Sequence, residues 1–190
     1  DIGTMGGPWS HAAGINDLGQ VVGTAMPPGN YMSGFVWDDG AVTIISRFPD
    51  TVALAAINNS GQVVGTYTMF MGGRKRAFLW EDGVMTTLPG LGGSDSFASD
   101  INDNGQIAGS AMLGAGAGLR AVRWDDGIPM SLDTLPGGFS SMGSGINSLG
   151  QVVGYSTPAP CTGFVWDGTM TNLGGNTAYD INDSGLIVGI

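Results

Sequence analysis

Apolar residues come in short runs along this chain, each closed by a glycine-containing turn, and the runs themselves repeat. The segment I-N-D-L-G-Q-V-V-G begins at Ile15, and its copies start at Ile57, Ile101, Ile146 and Ile181, at spacings of 42, 44, 45 and 35 residues. Between them lies a second pattern: F-V-W-D-D-G at Phe35, F-L-W-E-D-G at Phe78, V-R-W-D-D-G at Val122 and F-V-W-D-G at Phe164. A turn of the N-G or D-x-G kind between apolar runs predicts a hairpin, because Asn and Gly tolerate the positive φ that such turns need. The unit from Ser99 to Leu135 therefore reads as a strand ending at Asp100-Ile101-Asn102, a turn at Asp103-Asn104-Gly105 and a returning strand through Gly109. A longer loop over 110–120 follows, then a third strand at Ala121–Trp124, a turn at Asp125-Asp126-Gly127 and a fourth strand through Leu132.

Four short antiparallel strands in a unit of this length are the content of one β-propeller blade. Phe35 and Trp37 share one face of the third strand, as do Phe78 and Trp80, Val122 and Trp124, and Phe164 and Trp166. The opposite face carries Val36, Leu79 and Val165, so both faces are apolar, as expected of a sheet sandwiched between neighbours; Arg123 breaks the pattern. The four tryptophans are read as packing residues. The predicted fold is all-β: one repeat domain over 1–190, a propeller of four full units plus a partial fifth blade. The last hairpin, from Ile181, and a leading strand around Ile2 would share that fifth blade, so that the two termini close the ring or join one chain to the next, head to tail. A β-solenoid stack is the alternative; its coils are shorter and parallel.

Composition narrows the function classes. The chain has 190 residues, 35 of them glycine, and is 42% hydrophobic but only 12% charged, which suits many strands and tight turns and argues against disorder. Its net charge of -10 gives no electrostatic footprint for nucleic acid. No apolar run is long enough for a membrane-spanning helix. The single cysteine, Cys161, has no internal disulfide partner. A chain opening at Asp1 in mid-repeat reads as a processed form or a piece of a longer one.

The pairing of I-N-x-x-G-Q-V-V-G with a following R-A-F-L-W at Arg76–Trp80 resembles the HAF repeat family of bacterial extracellular proteins. Val122 stands for Phe in one unit, and Gly34 and Gly163 stand for Ala in two. The resemblance covers essentially the whole chain and implies secretion or surface exposure, with no catalytic chemistry.

Candidate chemistry is sparse. If the strands alternate up and down, both tight turns of every unit meet on one rim, giving a disc with one acidic face. That rim gathers Asp38, Asp39, Glu81, Asp82, Asp125, Asp126 and Asp167 from one set of turns, and Asp17, Asp103 and Asp183 from the other. Acids beside Gly are also simply good turn formers. The opposite rim carries the variable loops, with Arg47, Arg74, Lys75, Arg76 and Arg120. Tyr31, Met32, Phe70, Arg74, Arg76 and Arg120 are its candidate binding residues, for a protein or glycan surface. Asp100-x-Asn102-x-Asn104-Gly105 has the spacing of a calcium loop, but Ile107, Ala108 and Gly109 stand where an acidic ligand would follow. A hairpin turn with the Asn side chains bonded to local main chain is the competing reading, and no other cofactor is expected. His11 is the only histidine, and no nucleophile elbow or phosphate loop occurs. The expected function is a non-catalytic, secreted or surface module for binding or structure, with self-assembly open to it. A glycan-binding lectin is the alternative, and a polysaccharide hydrolase a more distant one.

Overall fold

The computed structural model describes residues 3–29, 32–46, 49–157, 161–175 and 177–190. The chain divides into two compact units, Asp1–Thr87 and Leu88–Ile190. In the first, β1 (Ser10–Ile15), β2 (Val21–Ala25), β3 (Ser33–Asp38) and β4 (Ala41–Ile45) form one sheet in chain order. A second sheet holds β5 (Thr51–Ile57), β6 (Val63–Thr68), β7 (Lys75–Glu81) and β8 (Val84–Thr87).

The second unit opens with β9 (Gly92–Ile101), β10 (Ile107–Leu113), β11 (Leu119–Asp125) and β12 (Ile128–Ser131). Then come β13 (Ser140–Ile146), β14 (Val152–Thr157), β15 (Thr162–Trp166) and β16 (Met170–Asn172), and lastly a two-stranded sheet of β17 (Ala178–Ile181) and β18 (Ile187–Gly189). Every pairing between these strands is antiparallel, which disposes of the solenoid alternative. The fold is a β-propeller, with repeating four-stranded blades. The expected leading strand around Ile2 lies outside the described residues. The loop expected over 110–120 is shorter than the sequence suggested: Ser110, Ala111 and Met112 pair with Ala121, Arg120 and Leu119, which extends the ladder.

The repeated letters have repeated causes. The middle glycine of I-N-x-x-G has positive φ in all five copies, from 75° to 81° at Gly19, Gly61, Gly105, Gly150 and Gly185. The final glycine of V-V-G is needed for a different reason. A Cβ at Gly23, Gly65, Gly109 or Gly154 would strike a main-chain carbonyl oxygen of the first strand, and one at Gly189 that of Thr177, just before β17. Each first strand also carries a bulge two residues before its closing Ile, skipping Ala13, Ala55, Ser99, Ser144 and Tyr179, which bends the strand at that point.

Apolar side chains of consecutive sheets meet between them. In the first unit Val22, Val36 and Ile45 pack with Val52, Leu54, Ile57, Val63, Tyr67 and Phe78. In the second, Ala108, Ala121, Leu132 and Leu135 pack with Ile146, Val152 and Phe164, and Val153 packs with Ala178 and Ile181. Of the four tryptophans, only Trp124 is fully buried, and its indole Nε1 donates to the Pro89 carbonyl at 2.8 Å. Trp37, Trp80 and Trp166 are half-buried; Trp80 and Trp166 cover the edges of the two larger clusters. Trp80, Trp124 and Trp166 are thus packing residues, and the four are not equivalent.

Candidate functional site

The acidic turns form as the sequence suggested. Asp39, Asp82 and Asp126 take the left-handed position, φ 42° to 50°, in the turns that join third to fourth strands. The acid just before each turn is held by the same neighbour throughout. The Nε2 groups of Gln20, Gln62, Gln106 and Gln151 donate to carboxylate oxygens of Asp38, Glu81, Asp125 and Asp167 at 2.6 to 3.0 Å. These pairs join the second strand's entry to the third strand's exit and are part of the scaffold.

The Asn of I-N-x-x-G organises the adjoining hairpin. In Asn16, Asn58, Asn102 and Asn147, Oδ1 accepts the amide of the Gln four residues on, and Nδ2 donates to that Gln's Oε1. Nδ2 also reaches forward one repeat, from Asn16 to the Asn58 carbonyl at 3.0 Å and from Asn102 to the Asn147 carbonyl at 2.8 Å. A longer contact of 3.3 Å runs from Asn147 to the Asn182 carbonyl. These asparagines are nearly inaccessible, Asn58 and Asn147 most of all, so they act inside the scaffold.

The three calcium candidates perform three different tasks. Asp100 Oδ1 accepts from the Ile101 amide at 2.8 Å, and Oδ2 from the Ile146 amide at 2.9 Å. Asn102 is the hairpin organiser just described, and Asn104 Nδ2 donates to the Ser148 carbonyl at 2.7 Å. Among the described residues no group of three or more His, Cys, Asp or Glu side chains gathers as a metal cluster. Burial raises the Asp100 carboxyl from 3.8 to about 6; the Ile146 and Ile101 amides pull it back down, and nearby Asp180 pushes it up. The opposite holds for exposed Asp183, which the Ser148 amide and hydroxyl keep below the usual carboxylate range.

The binding-rim candidates separate. Arg120 is tied down, its Nη1 donating to the carbonyls of Leu119 and Phe139 at 2.9 Å. Met32 is half-buried, and its carbonyl accepts the Val52 amide at 3.0 Å, linking the first two sheets. Tyr31 lies outside the described residues. Phe70 and Arg74 lie on the β6–β7 loop, whereas Arg76 belongs to β7, paired with Tyr67 of β6. The loop is closed by Met69–Arg74 and Gly73–Met69 main-chain bonds of 2.9 and 3.2 Å, with Gly72 and Gly73 at positive φ. Asp50 Oδ1 accepts the Phe70 amide at 2.8 Å and fixes the loop from the second sheet's own first edge. Phe70 and Met71 stand 65% and 80% exposed beside Arg74 and Lys75, an apolar and cationic tip on an acidic chain. Asp50 has no counterpart in the repeat, so no sequence signal marked it.

Neither a protein-family model nor a curated protein matches this chain. Solved structures do. An acylaminoacyl peptidase from Pyrococcus horikoshii superposes with TM-score 0.58 and 16% identity, over 89% of this chain and 27% of its own. The β-propeller domain of the Trilobed protease from Pyrococcus furiosus, described as having an open velcro topology, gives 0.60 and 15%, over 89% and 52%. A triple arginine-to-alanine mutant of AofleA from Arthrobotrys oligospora gives 0.52 and 13%, over 94% and 63%. This chain therefore spans less than two thirds of each. The expectation of a non-catalytic binding or structural module is corrected by this result, since the first two neighbours are peptidase propellers. That expectation rested on sparse chemistry: a single histidine, His11, and no nucleophile elbow or phosphate loop. Such a lack says little about a segment whose match takes in only 27% of a peptidase chain. At these identities the comparison establishes the fold alone: this chain is built as a β-propeller.

Proposed function

We propose that this chain is the propeller part of a peptide-hydrolysing protein, the part that receives the peptide. The observation that supports this reading is the superposition of 89% of the chain on an acylaminoacyl peptidase and on a protease propeller domain. The β6–β7 loop suits the task, because exposed Phe70 and Met71 offer apolar contact and Arg74 offers a partner for a peptide carboxylate. Within propellers, we assign the repeat to the HAF type on its I-N-x-x-G-Q-V-V-G and A-F-L-W motifs.

The test is titration calorimetry of the chain with short N-acetylated and free peptides that contain no Phe or Trp, with mass spectrometry of the products. Saturable binding that Phe70→Ala and Arg74→Ala each weaken about fivefold or more is the expected result. Failure of the chain to bind or cleave any of these peptides would overturn the reading.

A further inference from the structure

The second unit carries two arginines and no lysine, and its two guanidinium groups are used differently. Arg123 is paired: Nε donates to Asp125 Oδ2 at 3.0 Å and Nη1 to the Gly150 carbonyl at 2.9 Å. Arg120 meets no carboxylate among the described residues, although the chain has sixteen acids against six bases. Its Nη1 donates to the Leu119 and Phe139 carbonyls, both at 2.9 Å, with a longer contact of 3.4 Å to the Ala117 carbonyl. The two close acceptors use both hydrogens of that nitrogen. Among the described residues nothing accepts from Nε or Nη2.

The donors left over are a matched set. The Nε hydrogen and one Nη2 hydrogen lie parallel along one edge of the guanidinium, the edge that takes both oxygens of a carboxylate. Because main-chain carbonyls hold Nη1, the fork is oriented before anything binds, and little side-chain entropy remains to be lost. The side chain is half-buried, with its Phe139 bond at the surface, so a ligand can reach it in surroundings less polar than bulk water. An apolar wall stands beside it. Phe139, whose carbonyl holds the guanidinium, is 65% exposed. A Cβ at Gly118 would come within 3.3 Å of the Phe139 ring and 2.8 Å of its carbonyl oxygen, so the ring rests on bare main chain. The loop under it is fixed: the Phe139 amide donates to the Thr157 carbonyl at 2.7 Å, and the Ser140 amide to Thr157 Oγ1 at 3.0 Å.

We propose that Arg120 and Phe139 form a binding site for an aromatic carboxylate, a small acid or the last residue of a chain. The carboxylate oxygens accept from Nε and Nη2 of Arg120, and the aromatic group packs on the Phe139 ring. A single unpaired cation matches a monoanion; a phosphate dianion would find no second positive charge, since Arg123 is already paired. The proposal does not depend on the peptidase reading, which is tested on the β6–β7 loop with peptides lacking Phe and Trp.

The experiment titrates the isotope-labelled full chain with phenylacetate and with phenylacetamide, following the arginine Nε–H signals by nuclear magnetic resonance. The phenylacetate titration is repeated on Arg120→Lys and Phe139→Ala. Saturable binding of the acid is expected, about tenfold tighter than that of the amide, with a shift of the one Nε–H signal that Arg120→Lys lacks. Either substitution should weaken the acid about fivefold or more, Lys because it has no fork. Acetyl-Ala-Ala-Phe separates the two sources: tighter binding than phenylacetate assigns the site to a chain end, weaker binding to a small acid. Circular dichroism checks that the variants fold. If Arg120→Lys does not, the acid–amide pair on wild type and Phe139→Ala decide alone. Absence of saturable binding, equal binding of acid and amide, or undiminished binding by a folded variant overturns the proposal.

Discussion

Asn102 donates from Nδ2 to the main-chain carbonyl of Asn147, 2.8 Å away and one repeat further along the chain. The same side chain also accepts the Asn104 and Gln106 amides at 3.1 and 3.0 Å, so one buried amide group joins a hairpin to itself and to the next sheet. Asn102→Ala should therefore destabilise the protein by about 3 kcal/mol, because it leaves buried main-chain groups without partners. Asn102→Asp keeps the acceptor but loses the forward donor, and should cost about 2 kcal/mol. Urea denaturation of the two variants, read against wild type, checks both the size and the order.

Asp100 gives the protein a pH dependence in an unusual direction for a carboxylate. Its folded pKa, about 6, lies above the ordinary 3.8, so the folded state holds the proton more tightly than the unfolded one. Stability from this group is full below pH 3.8 and declines as the pH rises through about 6, by about 2 to 3 kcal/mol in all. Gly14 and Gly145 occupy the same strand position in other repeats, which makes Asp100→Gly the fitting control. The difference in stability between wild type and Asp100→Gly should shift in favour of the variant between pH 4 and pH 7; a flat difference would show that the carboxyl titrates normally.

The tryptophans should not respond alike. Trp124→Ala removes a fully buried indole and its bond to Pro89 and should cost about 4 kcal/mol. Trp80→Ala and Trp166→Ala remove half-buried rings and should cost about half as much. Thermal unfolding followed by circular dichroism orders the three.

Arg123 takes a position that holds Val36, Leu79 or Val165 elsewhere. It pairs with Asp125 Oδ2 at 3.0 Å, donates to the Gly150 carbonyl at 2.9 Å, and lies 4.9 Å from the centre of the Trp166 ring. Planar stacking and two directed donors are properties of a guanidinium that an ammonium lacks. Arg123→Lys should thus lose nearly as much stability as Arg123→Ala, about 1 to 2 kcal/mol, in denaturant titrations at moderate salt. Full rescue by Lys would reduce the contact to simple charge.

The strand pattern was legible because hairpin turns and alternating apolar runs are local signals, and each occurs several times. Even the scaffold network left a trace that could have been read. Asn recurs at 16, 58, 102, 147 and 182, and Gln at 20, 62, 106 and 151, with Leu186 at the Gln position of the fifth copy. What could not be read was the forward reach of the Asn side chains, because a pattern within one repeat does not reveal contacts between repeats. The same blindness affected Asp100, whose calcium-like spacing is local while its Ile146 contact is 46 residues away. The rim candidates were a mixed set for a similar reason: loop composition marked Phe70 and Arg120 equally, and only the structure separates the exposed tip from the tethered guanidinium.

The forward asparagine bond also bears on how such a gene can change. Its partners lie 42, 45 and 35 residues apart, so the contact is indifferent to the length of the loops between them. A repeat gained or lost as a whole unit would carry with it the Asn and the carbonyl that make this bond in three of the repeats. Blade number can thus change in whole units without loss of this joint, while the loops between are free to differ in length.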